Sequence, residues 1–125
     1  MSLKPKLPGG EPLKPVDTGC LETREIPSVC LRIESARQRI ALPYALLLCV
    51  EIAEDETQCE IAFATHTVTV HGRGLRSVYV AVSQGHAMQV RVRDSAKFLE
   101  GELYFGSIIT GIQIEPLHES GRARR

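Results

Sequence analysis

Between Cys59 and Gln84 the sequence CEIAFATHTVTVHGRGLRSVYVAVSQ changes its periodicity twice, and few folds accommodate both changes. Cys59, Ile61 and Phe63 alternate with Glu60 and Ala62, the period of a strand with one apolar face. Val68 and Val70 then alternate with Thr67, Thr69 and His71, so the apolar parity moves from odd to even. A hairpin turning at Thr65-His66 repairs the parity by setting Phe63 opposite Val68 and Ile61 opposite Val70. A bulged continuous strand repairs it as well.

His71-Gly72-Arg73-Gly74 follows, with two glycines in three residues. Beyond them Leu75, Val78, Tyr79 and Val82 recur at i, i+3, i+4 and i+7, and Gly85 stands where a helix C-cap belongs. This spacing predicts a helix over Leu75 to Gln84. The competing pattern is a strand, because Val78, Val80 and Val82 also alternate, and valines lower helix propensity.

At 125 residues the chain fits one domain. Residues 1–26 carry Pro5, Pro8, Pro12 and Pro15 among lysines and glycines and are expected to form a disordered tail. Residues 27–116 are expected to form the compact domain. Residues 117–125 hold three arginines and are expected to form a basic flexible tail. Strands are expected over Val29 to Ile33, Arg39 to Leu42 (a short strand or edge, because of Pro43), Leu46 to Ile52, Met88 to Arg93 and Ile108 to Ile114. A helical turn is expected within Lys97 to Leu103. The order β, β, β, β, α, β, β with short connections implies antiparallel pairing. The expected class is α+β, mostly β: a small, strongly bent antiparallel sheet or open barrel with one helix packed on it. A two-layer sandwich is the second choice.

No apolar run approaches the ~20 residues of a membrane-spanning helix, and no signal-peptide apolar region is seen, so a cytoplasmic location away from the membrane is expected. The cysteines Cys20, Cys30, Cys49 and Cys59 contain no C-x-x-C pair. Pairing Val50 with Cys59 and Leu48 with Ile61, around a turn at Glu54-Asp55-Glu56, puts Cys49 opposite Glu60, so these thiols read as small packing groups.

The chemistry-bearing residues form no complete motif. His66 and His71 are a candidate polar site, but five residues apart on a strand they point to opposite faces, and His86 and His118 fall in loops; neither a metal nor a cofactor is expected. Cys59 and His71 lie near the ends of neighbouring strands, yet nothing in the sequence lowers the thiol's pKa or supplies an oxyanion hole. Gly72-Arg73-Gly74 before a helix lacks the Lys and Ser/Thr of a phosphate loop. Charge placement is more informative. A formal net charge of zero conceals Glu51, Glu54, Asp55, Glu56 and Glu60 in one region and Arg73, Arg76, Arg91, Arg93 and Lys97 in another. The second group is a candidate nucleic-acid or anion-binding face.

The stretch from Phe63 to Leu75, together with Leu42-Pro43-Tyr44 before a hydrophobic strand, resembles a group of small bacterial proteins of uncharacterised function. Their pattern is a strand, His-x-Val-x-Val-x-Gly-Arg, then a Leu-led helix. The resemblance spans roughly residues 40 to 92 and implies no activity. Size and strand content are also similar to the Sm-like RNA-binding barrels, although in that family a helix precedes the first strand. These readings lead to one expectation, a non-enzymatic interaction or structural module that self-associates as a homo-oligomer. The alternative is a small Sm-like barrel that binds RNA through its basic face, and another protein is a further partner class.

Overall fold

The alternation of Val, Ile and Phe with polar residues does become strand, and the helical stripe does become helix. The computed structural model describes residues 16–93 and 104–117. Its elements are β1 (Val16–Asp17), β2 (Leu21–Thr23), β3 (Cys30–Glu34), β4 (Arg39–Pro43), a 3-10 turn (Tyr44–Leu46), β5 (Leu47–Ile52), β6 (Gln58–Phe63), β7 (His66–Arg73), α1 (Arg76–Ser83), β8 (Ala87–Arg91), β9 (Tyr104–Phe105) and β10 (Ile108–Pro116). The fold is α+β and mostly β. Two four-stranded sheets, ordered β10-β7-β6-β5 and β2-β8-β3-β4, share a core with α1, and β1 pairs with β9 separately. Among the described residues the sheets do not join into a closed barrel.

The first sheet is an antiparallel meander whose inner face carries Cys59, Ile61, Phe63, Val68 and Val70, all fully buried. Its registers differ from the expected ones by two residues. Ile61 lies opposite Val68, and Cys59 opposite Val70, around a loop at Ala64-Thr65. Val50 lies opposite Ile61, and Ile52 opposite Cys59, with a bulge between Leu47 and Cys49. A two-residue slip leaves every side chain on its face, so alternation alone cannot choose between such registers. Turn chemistry chooses. In the β5–β6 turn the Asp55 carboxylate accepts from the backbone N–H and hydroxyl of Thr57, which holds its pKa below the usual value, and Glu56 takes a φ of +62°.

The helix after β7 follows from Gly72 and from burial. A Cβ at Gly72 would lie 1.8 Å from the Ile108 carbonyl oxygen, so only glycine lets β10 close on β7 there. Leu75, Val78 and Val82 of the expected stripe are fully buried, Ala81 nearly so, and Tyr79 half-buried. Burying each large apolar side chain contributes roughly 2 kcal/mol. That outweighs the few tenths of a kcal/mol that each valine costs in helix propensity. Gly85, at φ +75°, ends the helix where expected. α1 lies against β5 and β8.

The second sheet departs most from expectation. β3 pairs with β4 antiparallel but with β8 parallel. The helix follows the seventh strand rather than the fourth. Residues 16–26, which the prolines before them place in the expected tail, contain β1 and β2, and Cys20 is fully buried. The segment is held by long-range bonds that no local pattern announces. The Arg91 N–H donates to the Cys20 carbonyl (2.8 Å), and the Thr18 hydroxyl to the Ser107 carbonyl (2.6 Å). The turn expected in Lys97 to Leu103, residues 1–15 and the terminal arginines lie outside the described residues. Among the described residues no helix is long and apolar enough to cross a membrane.

Candidate interaction site

Two of the four arginines are paired with carboxylates. Arg91, at the end of β8, forms an ion pair with Glu22 of β2 at 2.9 Å. Arg76 opens α1 and sits 3.9 Å from the Glu56 carboxylate. Arg73 ends β7 and is exposed. The Arg93 guanidinium lies over Gly19, where an added Cβ would meet it at 2.6 Å. The outer face of the second sheet therefore carries mixed charge. Arg39 pairs with Glu34 at 3.2 Å, and Glu34 also accepts from the Gln89 amide at 3.0 Å.

The histidines are separated as well. His66, at the start of β7, has its Nδ1 2.8 Å from the Thr65 hydroxyl. His71 lies on the outer face of the first sheet, its Nε2 3.4 Å from the Gln113 Oε1. Cys59 faces the core, fully buried, and burial pushes its thiol pKa to about 11. The neighbouring strands that bring Cys59 and His71 near each other in sequence register thus turn them to opposite sides of the sheet. Of the thiols, Cys20 and Cys59 are buried, Cys30 half-buried and Cys49 exposed; none is bridged.

The sequence pattern missed two surface features. One is a groove of about 710 Å³ between β2 and α1, where Arg24, Arg76, Ser77, Gln84 and His86 meet Thr18 and Ser107. Arg24 had been placed in the tail. The other is the outer edge of β10. The Gly72 N–H donates to Thr57 O, so β7 turns the backbone groups of its even-numbered residues toward β6 and those of His71, Thr69 and Thr67 toward β10. Their partners Gly111, Gln113 and Glu115 are thereby occupied. Ile112 and Ile114 direct their N–H and C=O groups away from β7. At the upper end of this edge the Ile109 carbonyl accepts from the Arg93 N–H, and the Ile109 N–H approaches the Cys20 Sγ at 3.4 Å. Below that point no strand among the described residues pairs with β10. Instead a groove of about 470 Å³ runs beside it, walled by Ser35–Gln38 of the β3–β4 turn and by Val92.

The other edges are guarded. β2 has only three residues. β4 has five and ends in Pro43, whose position in the ladder turns its missing N–H outward. β5 has six residues, with α1 packed near it. β10 is nine residues long and is stopped only at Pro116. The alternating isoleucines before Pro116 signal a strand but not that its outer edge is open. No protein-family model matches the chain, and comparison with curated proteins and with solved structures finds no match.

Proposed function

We propose that this chain is a non-enzymatic interaction module that associates with itself by adding a strand to the open edge of β10. The carrying observation is the outward pair of N–H and C=O groups on Ile112 and Ile114, which face a groove and pair with no strand among the described residues. An unpaired edge of this kind is a template for another chain, since main-chain hydrogen bonds supply affinity without a special side chain. Size-exclusion chromatography with light scattering tests it. The parent chain is expected to run as a dimer or larger species. Ile114→Pro removes an outward donor and no bond to β7, so it should run as a monomer with an unchanged circular dichroism spectrum. A folded Ile114→Pro variant that keeps the parent's mass overturns the reading.

A second reading is an RNA-binding surface, and one observation favours it: Arg24 and Arg76 line one groove beside the first turn of α1. Phosphate contacts there would make affinity fall steeply with salt. The chain has no Trp and three Tyr, so co-purified nucleic acid would dominate absorbance at 260 nm. Salt-sensitive RNA binding abolished by Arg24→Glu with Arg76→Glu would support this reading, and unaltered binding in that variant would remove it.

A further inference from the structure

Resting on the self-association read from the β10 edge, the geometry points to one partner segment and one register. We infer that β10 of a second copy pairs antiparallel with β10 about a two-fold axis through Gln113, making one continuous eight-stranded sheet. The backbone restricts the choice, because the exposed donors and acceptors belong to Ile112 and Ile114. In the antiparallel register that pairs Ile112 with Ile114 of the second copy, each exchanges both hydrogen bonds, and Gln113 faces its own equivalent in a close, non-hydrogen-bonded pair. The contact is isologous and therefore closes at two copies.

The side chains are self-complementary in this register. Gln113 is exposed and neutral, and two facing carboxamides can each donate to the other. Glu115 falls opposite Gly111 of the second copy, where there is no side chain to repel it. Beyond Gly111 in the same row stands His71, whose Cβ and Cδ2 lie 3.9 and 4.0 Å from the position of a Gly111 Cβ. The row thus offers each Glu115 a histidine of the other copy and no carboxylate. Centring the axis on Ile114 instead would set Gln113 against Glu115, and Gly111 against Leu117 at the end of the strand. Only the axis through Gln113 pairs the free segment symmetrically and leaves its one carboxylate without a like neighbour. On the inner faces Ile112 and Ile114, both half-buried in the single copy, would cover each other across the junction.

A charge-swap experiment tests both the partner and the register. Gln113 points to solvent on the outer face, so Gln113→Lys and Gln113→Glu should each fold like the parent. Each sets like charges directly opposite across the axis and should weaken dimerisation at least about tenfold. Mixing the two should restore a dimer that native mass spectrometry identifies as the heterodimer. Two variants that dimerise as tightly as the parent, or a mixture that stays monomeric, would overturn the register. The strand-edge reading would then still be judged separately by Ile114→Pro. A parent that remains monomeric at the highest concentration reached would overturn both.

Discussion

The two sheets have the same number of strands and opposite characters. The antiparallel sheet β10-β7-β6-β5 joins β5, β6 and β7 through short turns, and its outer face leaves like charges side by side: Glu51 lies directly opposite Glu60. The mixed sheet β2-β8-β3-β4 gathers strands distant in sequence, and its outer face pairs Arg39 with Glu34 and Arg91 with Glu22. The difference teaches that local connection and surface charge can be settled independently. The meander gets its register from turns and its inner face, so its outer face is free to carry unbalanced charge. The mixed sheet has no turn between β3 and β8, and cross-strand polar contacts help to fix how those strands align.

The sharpest way to break the comparison is at the glycines of the antiparallel sheet. Gly72→Ala should cost about 3 kcal/mol or more in denaturant unfolding, because its Cβ meets the Ile108 backbone oxygen at 1.8 Å. Gly111→Ala meets nothing nearer than 3.9 Å and should stay within about 0.5 kcal/mol of the parent. Equal losses at both positions would show that sheet closure does not depend on the approach at Gly72.

Between the sheets, Thr18→Val should destabilise by about 1–3 kcal/mol, since it leaves the Ser107 carbonyl without its 2.6 Å donor in a buried setting. A neutral result would mean that this segment contributes little to holding the sheets together. The outer faces should then respond in opposite directions. Glu60→Lys should stabilise by about 0.5 kcal/mol by relieving Glu51, whereas Glu34→Ala should destabilise by about 0.5–1 kcal/mol by stranding Arg39 and Gln89. Both effects should shrink in high salt, and matching signs would erase the distinction drawn between the two faces.

The smallest effect concerns the corner that joins the sheets. The Tyr44 hydroxyl donates to the Ala87 carbonyl at 2.7 Å, and burial pushes its pKa to about 12. The folded state thus holds this proton more tightly than the unfolded state, whose tyrosine ionises near 10. The contribution is fully present below about pH 10 and is lost as pH rises toward 12. Stability curves of parent and Tyr44→Phe should converge over that window, and a constant gap would remove the hydroxyl from the account.

These contrasts also explain what the sequence made legible. Helix α1, the positions of seven strands and the inner face of β6 and β7 follow from periodicity, which reports side-chain direction. Pro43 correctly marked an edge. The two-residue registers were not legible, because Val50 presents the same face whether opposite Cys59 or Ile61. Neither were β1 and β2, since three-residue strands carry no period and the prolines before them read as tail. The parallel β3–β8 pair needs knowledge of which distant segments meet. For the same reason the open edge of β10 could not be read from its own residues. It is open because, among the described residues, no strand lies beside it below Ile109.

The bond from Thr18 to Ser107 and the contact of Cys20 with Ile109 each span 89 positions of the chain. During synthesis Thr18 and Cys20 leave the ribosome long before their partners exist. The meander of β5, β6 and β7 can assemble from neighbours as they emerge, but the seam across the two sheets cannot close until residues 107 to 109 have been made. A segment translated early is therefore among the last to dock. Until then the apolar surface that packs on Cys20 lacks that cover.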